Sequence, residues 1–406
     1  MTRHWKRLLI ALLALTLFAA ACGDSDDDAD DGDEAVAADD AGGDDEGGDE
    51  GGDTADTEAA EPAETTCEAL DEVSLQLQWV TQSQFAGYYA AVDQGFFESF
   101  CLDVEIVEGG VDIVPQQQLG SGAVDFAISW VPRALVSREE GIDIVNVGQV
   151  FQRSGTLQVA FADSGITEPA DFAGRQIGNW GFGNEFELVA GARQAGLEPG
   201  EDFEFVQQNF DMFALISGEI DAAQAMIYNE YAQVLETIDE ETGELYQPED
   251  LVIIDWNEQG TAMLQDAIWA DAARLASDEA YADITTRFIA GAVEGWAWCR
   301  DNIEPCVDVV LDNSPILGRS HMTWQLNEIN NLIWPSPGGA AVMDQGLWDQ
   351  TIDIATSLEV LSAPPDEGAF TTEFAEAALA LLEAKGVDVT GESWTPIEVE
   401  LLEGGE

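Results

Sequence analysis

The sequence predicts an α/β fold of two lobes arranged as a clamshell, each a mostly parallel sheet flanked by helices, with two hinge crossings between them. Three observations lead there. Strand-period and helix-period segments alternate from residue 75 onward, the pattern of a parallel sheet covered on both faces. The same alternation restarts near residue 163, which predicts a second lobe. A late apolar stretch at residues 261–269 precedes a mostly helical remainder and reads as the return to the first lobe.

The first lobe opens where Leu75, Leu77 and Trp79 alternate with Gln76 and Gln78, a strand, before Phe85, Tyr88, Tyr89 and Val92 share one helical face that Gly95 closes. Ligands in open α/β sheets bind outside the carboxyl ends of strands, so Trp79 and the Gln82-Ser83-Gln84 loop should face a crevice. Residues 102–107 predict a strand, 111–115 a helix start with its proline in the first turn, and 124–130 another strand. Val131-Pro132 opens a helix reaching Gly141, and 144–151 is a further strand. Residues 157–161 then lead through Asp163-Ser164-Gly165 into the second lobe.

There, residues 175–180 predict a strand, Gly181-Phe182-Gly183 a tight turn, and Asn184 a helix N-cap with Glu185 and Glu187 in the first turn. Strands at 203–207 and 222–227 alternate with helices at 211–217 and 229–236, and 240–250 reads as an exposed insertion. Lobe 1 is therefore expected over 67–162 and 262–406, and lobe 2 over 163–261, with hinges at 161–164 and 260–263.

The first residues lie outside this fold. Arg3, Lys6 and Arg7 precede an apolar run at 8–18, and Ala19, Ala20 and Ala21 lead to Cys22. That layout reads as a lipoprotein signal peptide over 1–21 with a lipidation site at Cys22. Ala19 departs from the Leu usual there, which leaves a plain cleavage site or an uncleaved anchor as other readings. Residues 22–66 hold twenty acidic side chains and no basic or aromatic one, so they cannot bury enough apolar surface to order themselves and are expected to form a tether of about 40 Å or more.

Beyond the tether, 61 acidic residues face 10 basic ones, a balance of −51. Such a charge excludes a nucleic-acid binder by repulsion and reads as surface solvation in a salty habitat. Four further cysteines, without a CxxC pair, favour disulfides in an exported chain. Cys67 and Cys101 each precede one of two neighbouring strands, and Cys299 and Cys306 flank a turn at Pro305, so local pairing is expected.

Several spaced motifs carry a family likeness: residues 79–87 with Ala90 and Gly95-Phe96-Phe97, then Leu102-Asp103-Val104-Glu105, residues 121–129, 163–166 and 169–178. In these the chain resembles the extracytoplasmic solute-binding proteins of ABC importers, type II periplasmic binding proteins that include binders of thiamine-pyrimidine precursors, and the related fungal pyrimidine synthases. Residues 151–157, 180–187 and 223–231 resemble a bacterial branch of riboflavin-binding components. Pyrimidine binders usually carry Asn and His in the loop after the first Trp. Gln82 and Phe85 stand there instead, which fits a larger, more apolar ring system.

The resemblance implies a monomeric, lipid-anchored receptor on the outer face of the cell membrane that hands its ligand to permease subunits. A flat heterocyclic vitamin is expected, riboflavin or a related flavin first, a hydroxymethylpyrimidine or formylaminopyrimidine second, and solutes such as sulfonates third. Trp79, Trp130, Trp180, Phe182 and Tyr228 end strands, where aromatic faces stack on flat ligands; any one of them could equally be core. Gln82, Gln84, Asn184, Glu185, Asn229 and Glu230 could read ring amides or hydroxyls, with Phe85 beside them. Asn184 and Glu185 serve equally as helix cap and dipole partner. Arg153 could meet a ligand oxygen or a structural partner.

No enzyme, cofactor or metal site is expected. The fungal synthases use a lysine to hold pyridoxal phosphate and a reacting histidine, whereas Lys385 and His321 are the only Lys and His past the tether and fall outside the motifs. No GxSxG, HExxH or P-loop occurs.

Overall fold

The computed structural model describes residues 67–406; the signal, the tether and Cys22 lie outside the described residues. The first lobe is built on β1 (Asp71–Gln76), β2 (Leu102–Val107), β3 (Phe126–Trp130) and β4 (Ile144–Gln149), interleaved with α1 (Ala86–Asp93), α2 (Phe96–Ser99), α3 (Pro115–Gly120) and α4 (Val131–Glu139). β1 pairs in parallel with β2, setting buried Val73 opposite Val104. Its ladder ends at Gln76, short of the expected Trp79, and residues 77–79 run on beside Gly109. A Cβ at Gly109 would lie 2.3 Å from the Leu77 carbonyl oxygen, so only glycine lets the two segments approach.

The second lobe holds β5 (Thr156–Phe161), β6 (Gln176–Asn179), α5 (Phe186–Gln194), β7 (Glu204–Gln207), α6 (Phe213–Ile216), β8 (Ala222–Met226), α7 (Glu230–Leu235), β9 (Leu251–Asp255) and α8 (Trp256–Gln259). The chain then returns through β10 (Asp266–Asp271) to a helical remainder: α9 (Ala272–Ser277), α10 (Glu279–Asp301), α11 (Ile303–Asn313), α12 (Arg319–Ile333), α13 (Gln345–Ser357) and α14 (Glu373–Lys385). Sheet order is β2-β1-β3-β10-β4 in one lobe and β7-β6-β8-β5-β9 in the other.

Each sheet is mixed, because β10 runs antiparallel to β3 and β4, and β5 runs antiparallel to β8 and β9. The crossings explain this. A chain that leaves one lobe from the carboxyl end of a strand enters the other lobe at the same cleft, so its next strand must run away from it. The starts of β5 and β10 therefore lie at the cleft alongside the ends of the other strands.

Two expectations are corrected. β5 belongs to the second sheet, so the first crossing is residues 150–155 and the segment 161–164 lies at the far end of β5. The Gly165 turn resembled a boundary, but the shorter turn around Ser154-Gly155 makes the crossing. β9 follows the insertion at 240–250 and was not foreseen, although Leu251-Val252-Ile253-Ile254 is an apolar, β-branched run after Pro248.

The main core lies between the first sheet and the C-terminal helices. α1 and α10 cross at glycines, where a Cβ on Gly295 would fall 2.1 Å from the Gly87 carbonyl oxygen, and Phe126 stacks on Phe288 with ring centroids 4.3 Å apart. Cys67 is bonded to Cys101 and Cys299 to Cys306, with Cα atoms 5.5 and 5.1 Å apart. Among the described residues no helix is long and apolar enough to cross a membrane.

Candidate functional site

A cavity of about 500 Å³ opens between the lobes. From the first lobe it is walled by Gln78, Trp79, Gln82 and Gln84 after β1, by residues 110–114 before α3, and by Trp130 and Arg133 at the β3–α4 junction. From the second lobe come Trp180, Phe182 and Asn184 after β6, Phe210 after β7, Met226 at the end of β8, and Tyr228, Asn229 and Glu230 after it. Strand ends thus supply nearly every wall, as an open α/β sheet requires. A larger groove of about 1100 Å³ on the second lobe is bounded by carboxylates such as Asp163, Glu219, Glu240 and Asp250 with no basic side chain; it is a solvated acidic surface.

The aromatic side chains meet across the gap through a residue absent from the sequence-based set. Phe210 lies 5.0 Å from Trp79 of the opposite lobe, tilted by 55°, and 5.8 Å from Trp180, nearly parallel at 26°. Its position just past a strand end is the signal that could have found it. Phe182 projects into solvent at the mouth, 74% exposed, from a left-handed backbone conformation. Trp180 and Tyr228 are buried, and the Trp180 indole N–H has no partner among the described residues.

Beneath this cage sits Asp266, the first residue of β10, which sequence reasoning missed because the carboxylate occurs in no motif. Its Oδ1 accepts from Gln78 Nε2 at 2.7 Å and Trp130 Nε1 at 2.8 Å, and its Oδ2 accepts from Gln84 Nε2 at 3.0 Å. Full burial pushes its pKa up to about 7, against the lowering effect of those three donors. One buried carboxyl therefore orients three cavity walls at once.

The polar run continues outward. Gln82 Nε2 donates to Gln84 Oε1 at 2.7 Å, Gln325 Nε2 on α12 donates to Gln82 Oε1 at 3.2 Å, and Gln84 N donates to Gln325 Oε1 at 3.1 Å. On the second lobe, Glu230 Oε2 accepts from the Met226 amide at 2.9 Å and Oε1 from Asn229 Nδ2 at 2.8 Å, while burial raises the Glu230 pKa. His321, distant in sequence, lies with Nε2 2.9 Å from Asn229 Oδ1 and Nδ1 2.8 Å from Glu236.

Three expected residues stand elsewhere. Phe85 is fully buried in the first-lobe core, because its helical turn faces inward. The Arg153 guanidinium donates to the carbonyls of Asn331 at 3.1 Å and Pro335 at 2.9 Å, tying the first crossing to the end of α12. Glu185 accepts from the Gly183 amide at 2.9 Å and braces the turn behind the cavity. Asn184 does line the cavity, but it is not the helix cap: α5 starts at Phe186, and Asn184 Nδ2 donates to the Gly181 carbonyl at 2.9 Å.

The crossings are locked by Glu187. Its Oε2 accepts from Ser154 Oγ in the first crossing at 3.0 Å, and its Oε1 accepts from the Met263 amide in the second at 2.5 Å. Burial pushes its pKa up to about 8.

The profile of the family described as NMT1/THI5 like matches residues 82–303, more than half of the chain, spanning both crossings and most of the cavity walls. The chain belongs to the NMT1/THI5-like family. Family relatives include the formylaminopyrimidine-binding protein of Halalkalibacterium halodurans, 24% identical over 251 residues, 61% of this chain and 72% of that one. The riboflavin-binding protein RibY of Chloroflexus aurantiacus is 24% identical over 333 residues, 78% of this chain and 89% of that one. In fold, this NMT1/THI5-like chain resembles the periplasmic aliphatic sulphonate binding protein SsuA of Escherichia coli, with a TM-score of 0.53, 16% identity, and coverage of 82% of this chain and 94% of that one.

Proposed function

We propose that this chain is the substrate-binding component of an ABC importer, lipidated at Cys22, monomeric, and held outside the cell membrane by its acidic tether. It captures a flat heterocyclic vitamin, riboflavin or a related flavin, between its lobes and delivers it to a permease. The observation that carries this reading is the interlobe aromatic set of Trp79, Phe210 and Trp180. Rings from both lobes converge on one cavity, so a planar ligand would be gripped fully only when the lobes close.

The volume of about 500 Å³ falls within the roughly 300–1,000 Å³ of sites for drug-sized ligands, which favours a tricyclic ring over a single pyrimidine. A thiamine-precursor pyrimidine is the second reading, favoured by the likeness to the formylaminopyrimidine-binding protein. This is a binding protein and not an enzyme of the synthase kind. Lys385, the one lysine among the described residues, pairs with Glu294 at 2.6 Å on the α14 flank and does not line the cavity, where a Schiff base would need it.

The absorbance spectrum of purified protein, followed by calorimetric titration with riboflavin and with hydroxymethylpyrimidine, tests the ranking. A yellow protein, or heat with riboflavin, supports the flavin. A colourless protein that responds only to the pyrimidine reverses the order.

A further inference from the structure

Ten basic residues lie beyond the tether. Eight of them form ion pairs with carboxylates, and Arg153 is held by backbone carbonyls. Of these ten, only Arg133 has a side-chain cation with neither an ion pair nor a hydrogen bond among the described residues. In a chain with a balance of −51, a half-buried guanidinium without a carboxylate partner is conspicuous, since desolvating a cation costs free energy unless something compensates it. Burial indeed depresses its pKa, with the charge on Glu185 opposing that only in part.

Arg133 also stands where a ligand would meet it. It lines the interlobe cavity from the first turn of α4, and a Cβ on Gly183 of the opposite lobe would lie 3.5 Å from its Cγ. Its five N–H donors are therefore unspent at a place where the two lobes touch. The other donors on this wall are committed, since the amide of Gln78 and the indole of Trp130 both bond to Asp266.

We propose that Arg133 is a specificity-determining residue that receives an oxygen acceptor of the ligand, a ring carbonyl or a phosphate, and that the bound ligand completes the coordination this guanidinium lacks. The proposal rests on the reading of the cavity as a heterocycle site. A guanidinium fork suits paired oxygens better than an ammonium does, so the site would discriminate against rings without such oxygens.

The test is titration of wild type, Arg133→Met and Arg133→Lys with riboflavin, flavin mononucleotide and hydroxymethylpyrimidine, with melting temperatures of the unliganded proteins alongside. Arg133→Met should weaken flavin binding roughly ten- to hundred-fold, the range for hydrogen bonds to a charged group, and Arg133→Lys should recover part of the loss. The unliganded melting temperature should not fall, because no internal partner is removed. Equal weakening of both flavins assigns the contact to the ring carbonyls; a loss confined to flavin mononucleotide assigns it to the phosphate. A wild type that binds only the pyrimidine, which carries neither a ring carbonyl nor a phosphate, overturns the proposal and moves the cavity reading to its second ligand. Wild-type binding that Arg133→Met retains within twofold overturns the proposal and leaves the cavity reading standing. A wild type that binds none of the three overturns the cavity reading, and the proposal with it.

Discussion

Trp79 and Phe210 belong to different lobes and face each other with ring centroids 5.0 Å apart. Phe210 is 37% exposed while Trp180 behind it is 3% exposed and part of the main core, so Phe210 is the cleaner probe of stacking. Phe210→Ala should weaken ligand binding by roughly two- to tenfold, since an aromatic pair is worth about 0.5–1.5 kcal/mol beyond area burial, with little change in melting temperature. Unchanged affinity in a titration of the variant would sink the stacking account. Trp180→Ala should lower both affinity and stability.

Asp266 couples pH to stability and to the cavity. Its folded pKa of about 7 lies above its ordinary 3.8, so its protonated form favours the folded state. That contribution is complete below about pH 4 and is lost as pH rises through 7, by an amount on the order of a few kcal/mol. In urea titrations, Asp266→Asn should flatten the stability profile of the wild type between pH 4 and 7. It should also weaken ligand binding, because an amide cannot accept from Gln78, Gln84 and Trp130 as the carboxylate does. Parallel profiles for the two proteins would show that Asp266 does not titrate in this window.

Glu187 works in the same direction at the crossings. With a folded pKa of about 8, it contributes stability below about pH 4.5 that is lost progressively up to pH 8. Glu187→Gln should therefore remove the part of the pH dependence that extends past Asp266, between pH 7 and 8. The bonds to Ser154 and Met263 also predict a change in lobe closure, measurable as the ligand-induced shift in radius of gyration by small-angle scattering. A variant identical to wild type in both measurements would remove Glu187 from the hinge.

Net charge supplies a prediction independent of the cavity. A balance of −51 beyond the tether implies self-repulsion that salt screens, with a Debye length of about 10 Å at 0.1 M and about 3 Å at 1 M. Melting temperature should rise steadily from 0.1 to 2 M KCl. A fall over that range would mean that the ion pairs outweigh the repulsion.

Much of the fold was legible along the chain because its signals are local. The alternation of Leu75, Leu77 and Trp79 overlapped the end of β1, the strands read at 124–130 and 222–227 matched β3 and β8, prolines marked the starts of α3 and α4, and the aromatic residues expected at strand ends pointed at Trp79, Trp130, Trp180 and Tyr228, all of which line the cavity. Phe85 misled because a helical face shows that a residue is apolar without showing which side is covered. Arg153 misled because its acceptors, the carbonyls at the end of α12, lie some 180 residues away.

What the sequence determined by itself was the alternation of strand and helix, the acidic surface, and the presence of aromatic and amide groups at strand ends, all set by neighbours within a few residues. Only the tertiary structure decided where the crossings fall, that Phe210 joins Trp79 and Trp180, and that two charged groups of the first lobe meet opposite fates, the Asp266 carboxyl beneath the cavity holding three donors and the Arg133 guanidinium on its wall holding no acceptor. Those outcomes depend on which distant groups burial brings within hydrogen-bond range, and no spacing along the chain encodes that distance.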